Sequence, residues 1–242
     1  MPSKPARAEI LGLPVDLVDW NQVLDFCRER LQLSDPAMIV TLNGEIALQA
    51  QSDQQLNAAI KSAKMVLPES ANILFALRWL GYPQREKLPG VDLVYKLAGL
   101  SQSLGTSIYL LGGEPEVANM AAQKLRKLYP SLKVAGTSSA DPDEPKLAAA
   151  IKSSGAEIVF VAYGAPKQEI WINRHGRETG AKILVGIGGA LDMISGRLPR
   201  APSIMRLLHL EWLWRMVLQP KRVSRIWRSV AVFPLKVLIN RS

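Results

Sequence analysis

Residues 107 to 137 read SIYLLGGEPEVANMAAQKLRKLYPSLKVAGT, and this stretch decides the fold class. SIYLLGG is an apolar run of strand length that ends on a glycine turn, and LKVAGT is a second such run. Between them, EPEVANMAAQKLRKLYP opens with acids that suit a helix N-terminus and stops at Pro130. Val117, Met120, Ala121 and Leu125 recur at helical spacing and predict one apolar face. The same alternation appears at AMIVTLN (37–43), KMVLP (64–68), EIVFVAYG (157–164) and KILVGIGG (182–189), each followed by a segment of helical period. Strands buried on both faces read as near-continuous apolar runs. Six of them alternating with helices predict an α/β domain.

The expected architecture is a Rossmann-like, mostly parallel sheet flanked by helices, over residues 1–196. After GGALDMISGRLPRAP the pattern changes. Residues 197–242 read as a helical appendage of two helices broken near Pro220, SIMRLLHLEWLWRMVLQ and KRVSRIWRSVAVFPLKVLI. The net charge of +9 lies entirely in this appendage, where ten Lys or Arg face the single acid Glu211. Arg222, Arg225 and Arg228 recur every three residues opposite Val223, Ile226, Trp227 and Val230, a basic amphipathic stripe. An anionic partner is expected there. Trp212, Trp214 and Trp227 lie among the cations. Such interleaving suits single-stranded nucleic acid as well, but the strong apolar face favours an anionic membrane surface over nucleic acid.

The 242 residues, 48% hydrophobic, are enough to bury a full core. One cysteine, Cys27, excludes an internal disulfide, and with two histidines, His175 and His209, it offers no zinc-like spacing. Both Cys27 and His175 read as structural, and a reducing compartment fits. The first twenty residues lack the apolar run of a signal peptide, and no window approaches the roughly 18 apolar residues of a membrane span. A cytoplasmic protein, soluble or peripheral on the membrane, is the expectation.

In open parallel sheets ligands bind outside the carboxyl ends of the strands. Four segments put polar residues or glycine there: Thr41-Leu42-Asn43-Gly44, Leu111-Gly112-Gly113-Glu114, Tyr163 to Glu169, and Val185 to Asp192 with Gly188 and Gly189. Glycines let backbone amides approach a ligand, and helix N-termini favour anions such as a pyrophosphate. Neither GxGxxG nor GxxxxGK[ST] is present, which weakens dinucleotide and P-loop readings. Plainer readings stand beside these. Gly112-Gly113 reads equally as a tight turn and Thr41 with Asn43 as an N-cap. Pro166 with Glu169 reads as a helix start with an acid on its dipole.

Taken together, TLN, YLLGGEPEVANMAAQKLRKLYPSLKVAGTSSA, VFVAYGAPKQEIWI, GIGGALDMISGRLPRAP and LEWLWRMVLQPKRVSR resemble, in order and spacing, the signature blocks of the WecG/TagA/CpsF glycosyltransferases. The resemblance runs from about residue 10 to about 228. It implies an inverting, metal-independent transfer, without cofactor, of an N-acetylmannosamine-like sugar or a uronic acid. The donor would be a UDP-sugar, and the acceptor a polyprenyl-diphosphate-linked glycan at the cytoplasmic membrane face. Gln168 and Glu169 would border the donor pocket, Thr41 and Asn43 would position substrate, and Arg215, Arg222 and Arg225 would grip the departing diphosphate. No Asp-x-Asp motif is present to hold a magnesium diphosphate. The family also implies self-association linked to membrane recruitment, hence a possible homo-oligomer.

One block departs from the pattern. Where the family carries Pro-Asp-Gly, this chain reads Pro68-Glu69-Ser70. Glu69 is then the candidate base, one methylene longer than the aspartate, and Ser70 takes away a glycine's conformational freedom. A divergent subfamily with another base, Asp192 being a weaker candidate, and a binding protein that has lost catalysis both stay open. Downstream, REKLPGVDLV keeps Arg85, Gly90 and Asp92 of a family block.

Overall fold

The computed structural model describes residues 6–84, 86–220 and 223–240. Its elements in chain order begin with strands β1 (Arg7–Ile10) and β2 (Leu13–Asp16), helix α1 (Trp20–Leu31) and strand β3 (Ala37–Leu42). Helices α2 (Gly44–Gln49) and α3 (Gln54–Ser62) lead to β4 (Met65–Pro68), followed by α4 (Ala71–Trp79) and α5 (Gly90–Leu104). Then come β5 (Ser107–Gly112), α6 (Val117–Leu128), β6 (Lys133–Ser138), α7 (Leu147–Ser154) and β7 (Ile158–Ala162). Helix α8 (Lys167–His175), β8 (Ile183–Gly186) and α9 (Ala190–Ser195) complete the α/β alternation. Four helices remain: α10 (Ser203–Leu207), α11 (Glu211–Leu218), α12 (Val223–Trp227) and α13 (Phe233–Ile239).

Six strands form one sheet in the order β4-β3-β8-β7-β5-β6, and every pair is parallel. These are the six apolar runs of the sequence. Alternate residues feed two cores. Val40, Leu111, Val159 and Leu184 face one layer with helices α2, α3 and α8, while Ile39, Leu110, Phe160 and Val185 face the other with α1, α5, α6 and α9. The chain leaves β5 towards β6 and leaves β7 towards β8, so their loops diverge. That is a switch point, where a crevice opens at the carboxyl edge.

The short hairpin β1–β2 does not stand out in the sequence. Buried Asp16 fixes it, taking two bonds from Arg7 (2.7 and 2.9 Å) and one from the Val66 amide of edge strand β4 (2.7 Å). An otherwise unpaired edge amide is thereby covered. Helix α6 also differs in detail from its pattern. It buries Val117, Ala118, Ala121, Ala122 and Leu125, whereas Met120 is 43% exposed.

The first helix foreseen after residue 200 is split. His209, at φ +60°, separates α10 from α11, and the Leu210 amide reaches back to the Met205 carbonyl (2.7 Å). That six-to-one bond is a Schellman stop with histidine in the position usually held by glycine. Further on, α12 runs through a π-helical turn (Arg228–Val232) into α13. Phe233 and Val237 of α13 are buried against the body, where Asn72 donates to Ser229 Oγ (2.9 Å). Gly44 makes this seat possible: a Cβ there would lie 2.9 Å from Ser229 Oγ and 3.0 Å from Phe233 Cγ.

Candidate active site

The parallel sheet places the residues after β3, β4, β5, β7 and β8 along one edge. Glu69 directly follows β4, and its amide donates to the Leu42 carbonyl (2.9 Å), so the β3–β4 ladder carries it to the rim. Both carboxylate oxygens are held. Asn43 donates Nδ2 to Oε2 (2.9 Å), and the Gly90 amide at the start of α5 lies 3.3 Å from Oε1. Asn43 itself is fixed because its Oδ1 caps α2 through the Ile46 amide (3.0 Å). The side chain read as an N-cap and as a substrate group thus has a third task, aiming a carboxylate.

Burial pushes the Glu69 carboxyl above the usual range. The Asn43 bond, the charge of Arg215 and the Gly90 amide pull it back part of the way, and Glu211 pushes it up again. Arg215 of α11 is therefore close enough to act on Glu69. Ser70 needs no glycine: its backbone is extended (φ −113°, ψ 160°), so the replacement carries no strain. Its buried hydroxyl has no partner among the described residues.

Behind Glu69 lies a second acid. Glu169 is fully buried and Gln168 is 1% exposed. Gln168 Oε1 accepts from the amides of Gly164 (3.1 Å) and Gly188 (2.9 Å), and its Nε2 donates to Glu169 Oε1 (2.7 Å). It clasps the loop after β7 to the loop after β8. Glu169 Oε2 has no partner among the described residues. Burial raises the Glu169 carboxyl to about 7, outweighing the bond from Gln168, and the charge of Glu69 adds to the rise. The pair packs into space left by Gly186, where a Cβ would come within 2.8 Å of Gln168 Nε2. Thr41 donates to the Gly186 carbonyl (2.9 Å) and is buried, tying β3 to β8 under the site.

At the switch point a cleft of about 510 Å³ opens between Gly113, Glu114, Tyr163, Asp192, Arg197 and Gln219. Gly112, at φ +94°, lets β5 end against β7: a Cβ would sit 2.9 Å from the Ala162 carbonyl carbon. Gly188 and Gly189 lead from β8 into α9 on the same edge. Residues after 196 roof this edge through Arg200 to Asp92 (2.6 Å), Lys87 to Glu211 (2.5 Å) and Arg197 to Glu114, and Trp214 Nε1 donates to the Pro199 carbonyl (3.0 Å) within the same segment. Arg225 pairs with Glu45 in the first turn of α2 (3.5 Å).

Asn43 with Glu69, and Gln168 with Glu169 and Gly188, thus form two hydrogen-bonded groups on this edge, and Thr41 braces the strands beneath them. Gly112 and Gly113 border the neighbouring cleft, the charge of Arg215 acts on Glu69, and Arg225 stands against α2. Arg85 and Arg222 lie outside the described residues. Lys87, Arg197 and Arg200 were not singled out as site residues. Only the excess of cations after residue 196 hinted at the two arginines, and Lys87 left no signal.

A model of the glycosyl transferase WecG/TagA/CpsF family matches residues 8–242. The chain belongs to this family. It is accordingly a glycosyltransferase with the α/β fold foreseen. Two relatives come from Staphylococcus aureus, strains MRSA252 and NCTC 8325 / PS 47, and both are named N-acetylglucosaminyldiphosphoundecaprenol N-acetyl-beta-D-mannosaminyltransferase. Each is 28% identical over 238 residues, covering 97% of this chain and 93% of the relative.

Proposed function

We propose that this glycosyltransferase moves an N-acetylmannosamine-like sugar or a uronic acid from a UDP-sugar to a polyprenyl-diphosphate-linked acceptor, with inversion and without a metal ion. The observation that carries the reading is Glu69, gripped at both oxygens on the sheet's carboxyl edge with the charge of Arg215 acting on it. The acceptor hydroxyl oxygen forms the new bond to the anomeric carbon while Glu69 takes its proton. The bond from that carbon to the diphosphate breaks on the opposite face, and UDP leaves with the electron pair. Arg215, Arg222 and Arg225 neutralise the diphosphate in place of a magnesium ion. Thr41 and Gln168 act by holding the loops that shape the pocket, and Gly112, Gly113, Gly188 and Gly189 admit the diphosphate close to the backbone.

Residues 197–242 serve as a unit that roofs the pocket and meets the cytoplasmic face of the membrane. No helix among the described residues is long and apolar enough to cross a bilayer. Yet Leu207, Val217, Trp227 and Ile239 are exposed at 78%, 71%, 66% and 73%, on the segment that holds the excess cations. That combination suits an anionic lipid interface.

The decisive experiment is UDP release from a panel of UDP-sugars with a short polyprenyl-diphosphate acceptor analogue, with and without chelator. Glu69→Gln is expected to lose roughly 10²- to 10⁴-fold in rate. Equal turnover by both proteins would remove Glu69 as base, and loss of turnover in chelator would remove metal independence.

A further inference from the structure

A fully buried acid, Glu169, stands in the site without a role in the transfer itself. Its Oε1 accepts from Gln168 Nε2 (2.7 Å), the shortest bond of the clasp that joins the loops after β7 and β8. A carboxamide has an accepting end and a donating end of nearly the same shape, so its orientation follows from what faces each end. One end of Gln168 meets two backbone amides, those of Gly164 (3.1 Å) and Gly188 (2.9 Å), and both can only donate. Oxygen must stand there. The NH2 group is then turned into the interior, since Gln168 is 1% exposed. A buried donor without an acceptor is costly. Glu169 Oε1 is the acceptor this position supplies, and without it Gln168 would gain by leaving the two amides that it holds together.

The surroundings of this bond are closely fitted. A Cβ at Gly186 would stand 2.8 Å from Gln168 Nε2 and 3.1 Å from Glu169 Oε1, so the backbone of β8 forms a floor under both atoms. The Gly186 carbonyl is held by Thr41 (2.9 Å). Thr41 Oγ1 and Glu69 Oε1 in turn converge over Gly90, 3.5 and 3.2 Å from where its Cβ would be. A shift of the Gln168 head therefore reaches the surroundings of Glu69. Burial raises the Glu169 carboxyl to about 7. Near neutrality its Oε2, which has no partner among the described residues, carries the proton, and Oε1 keeps its lone pairs for Gln168.

We propose that Glu169 is a positioning residue: by accepting from Gln168 at Oε1 it selects the orientation of that carboxamide, and so sets the spacing of the Gly164 and Gly188 loops at the pocket. The inference rests on the donor class given under Proposed function for its kinetic arm alone, because the clasp can be followed without substrate.

The test uses the full-length protein. In nitrogen-proton correlation spectra the Gly164 and Gly188 amides and the Gln168 side-chain amide report the clasp, and UDP release from a UDP-sugar reports donor KM and kcat. Glu169→Leu removes the acceptor. Gly186→Ala presses on the movable tip of Gln168. Both are expected to shift those signals and to raise donor KM roughly tenfold, with a smaller loss in kcat. Glu169→Gln still accepts from Gln168 and is expected to keep the signals in place and donor KM within about twofold of wild type. Gln168→Glu, assayed above neutral pH so that no proton bridges the two acids, sets acceptor against acceptor and should lose as much as Glu169→Leu. Adding Glu169→Gln puts an N–H back between them and should recover most of that loss.

Glu169 does not act by orienting Gln168 if Glu169→Leu, or Gly186→Ala should the first fail to fold, leaves signals and donor KM at wild-type values. The same holds if Glu169→Gln loses as much as Glu169→Leu, or if the double variant is no better than Gln168→Glu. If no UDP-sugar turns over while the signals move as described, the donor class falls and the clasp stands.

Discussion

Asn43 reaches across from the end of β3 to hold Glu69 at the end of β4, with 2.9 Å between Nδ2 and Oε2. The bond favours the ionised carboxylate against the burial that opposes it. Asn43→Ala is therefore expected to raise the Glu69 pKa further and to move the acidic limb of the kcat/KM profile to higher pH. Activity below neutral pH should fall on the order of tenfold, with recovery at alkaline pH. A uniform loss at every pH would mean that Asn43 acts on substrate and not on Glu69.

Glu69→Asp restores the family's residue but not the grip around it. The shorter side chain cannot reach the Asn43 amide and the Gly90 amide together, so the carboxylate shifts by about a bond length. A displacement of that size is expected to lower kcat on the order of 100-fold. Steady-state kinetics beside wild type check this, and undiminished turnover would show that position 69 tolerates either length.

Glu169 makes stability depend on pH with a defined sign. Its folded pKa of about 7 exceeds the ordinary glutamate value of 4.5, so between those values the native state binds the extra proton. Stability is therefore highest below about pH 4.5 for this group and declines as pH rises towards 7, by on the order of 3 kcal/mol. Glu169→Gln keeps an acceptor for Gln168 and cannot ionise. Its Tm relative to wild type is expected to rise between pH 5 and pH 8, and a constant difference across that range would contradict the assignment.

Phe233 is the anchor of the C-terminal helix. Phe233→Ala removes a fully buried ring and is expected to cost about 3 to 5 kcal/mol at that seat. Because α13 packs on α2 and α4 outside the sheet, the loss should show as faster hydrogen exchange in 223–240 before the sheet is affected. Simultaneous loosening of β3 and β8 would mean that the tail and the body unfold as one.

The proposed membrane contact rests on exposed apolar side chains. Trp227→Glu and Ile239→Glu each remove a large group that faces solvent in the structure, and each is expected to lower partition onto anionic vesicles roughly tenfold. Flotation reads this directly. Unchanged flotation, together with a shift of an oligonucleotide in a gel, would favour a nucleic-acid partner.

The sheet was legible because each central strand is buried on both faces and reads as an unbroken apolar run. The hairpin β1–β2 was not, since its strands are four residues long and Asp16 gains meaning only from Val66, fifty residues on. The tail's first break was hidden for a local reason: His209 takes the left-handed stop that a sequence reader expects of glycine. Among site residues, Glu69 could be located by its place in a known block. The bonds of Gln168 to Gly164 and Gly188, and the pairs Arg200–Asp92 and Lys87–Glu211, join segments up to 124 residues apart. No periodicity encodes such pairings.

One absent methyl group at position 44 works as a keyhole through which the body keeps hold of its tail. A side chain filling it would leave an electrically balanced globule trailing a cationic streamer. Such a molecule would cling to polyanions indiscriminately, and its tail would no longer be delivered to the face where Glu69 waits.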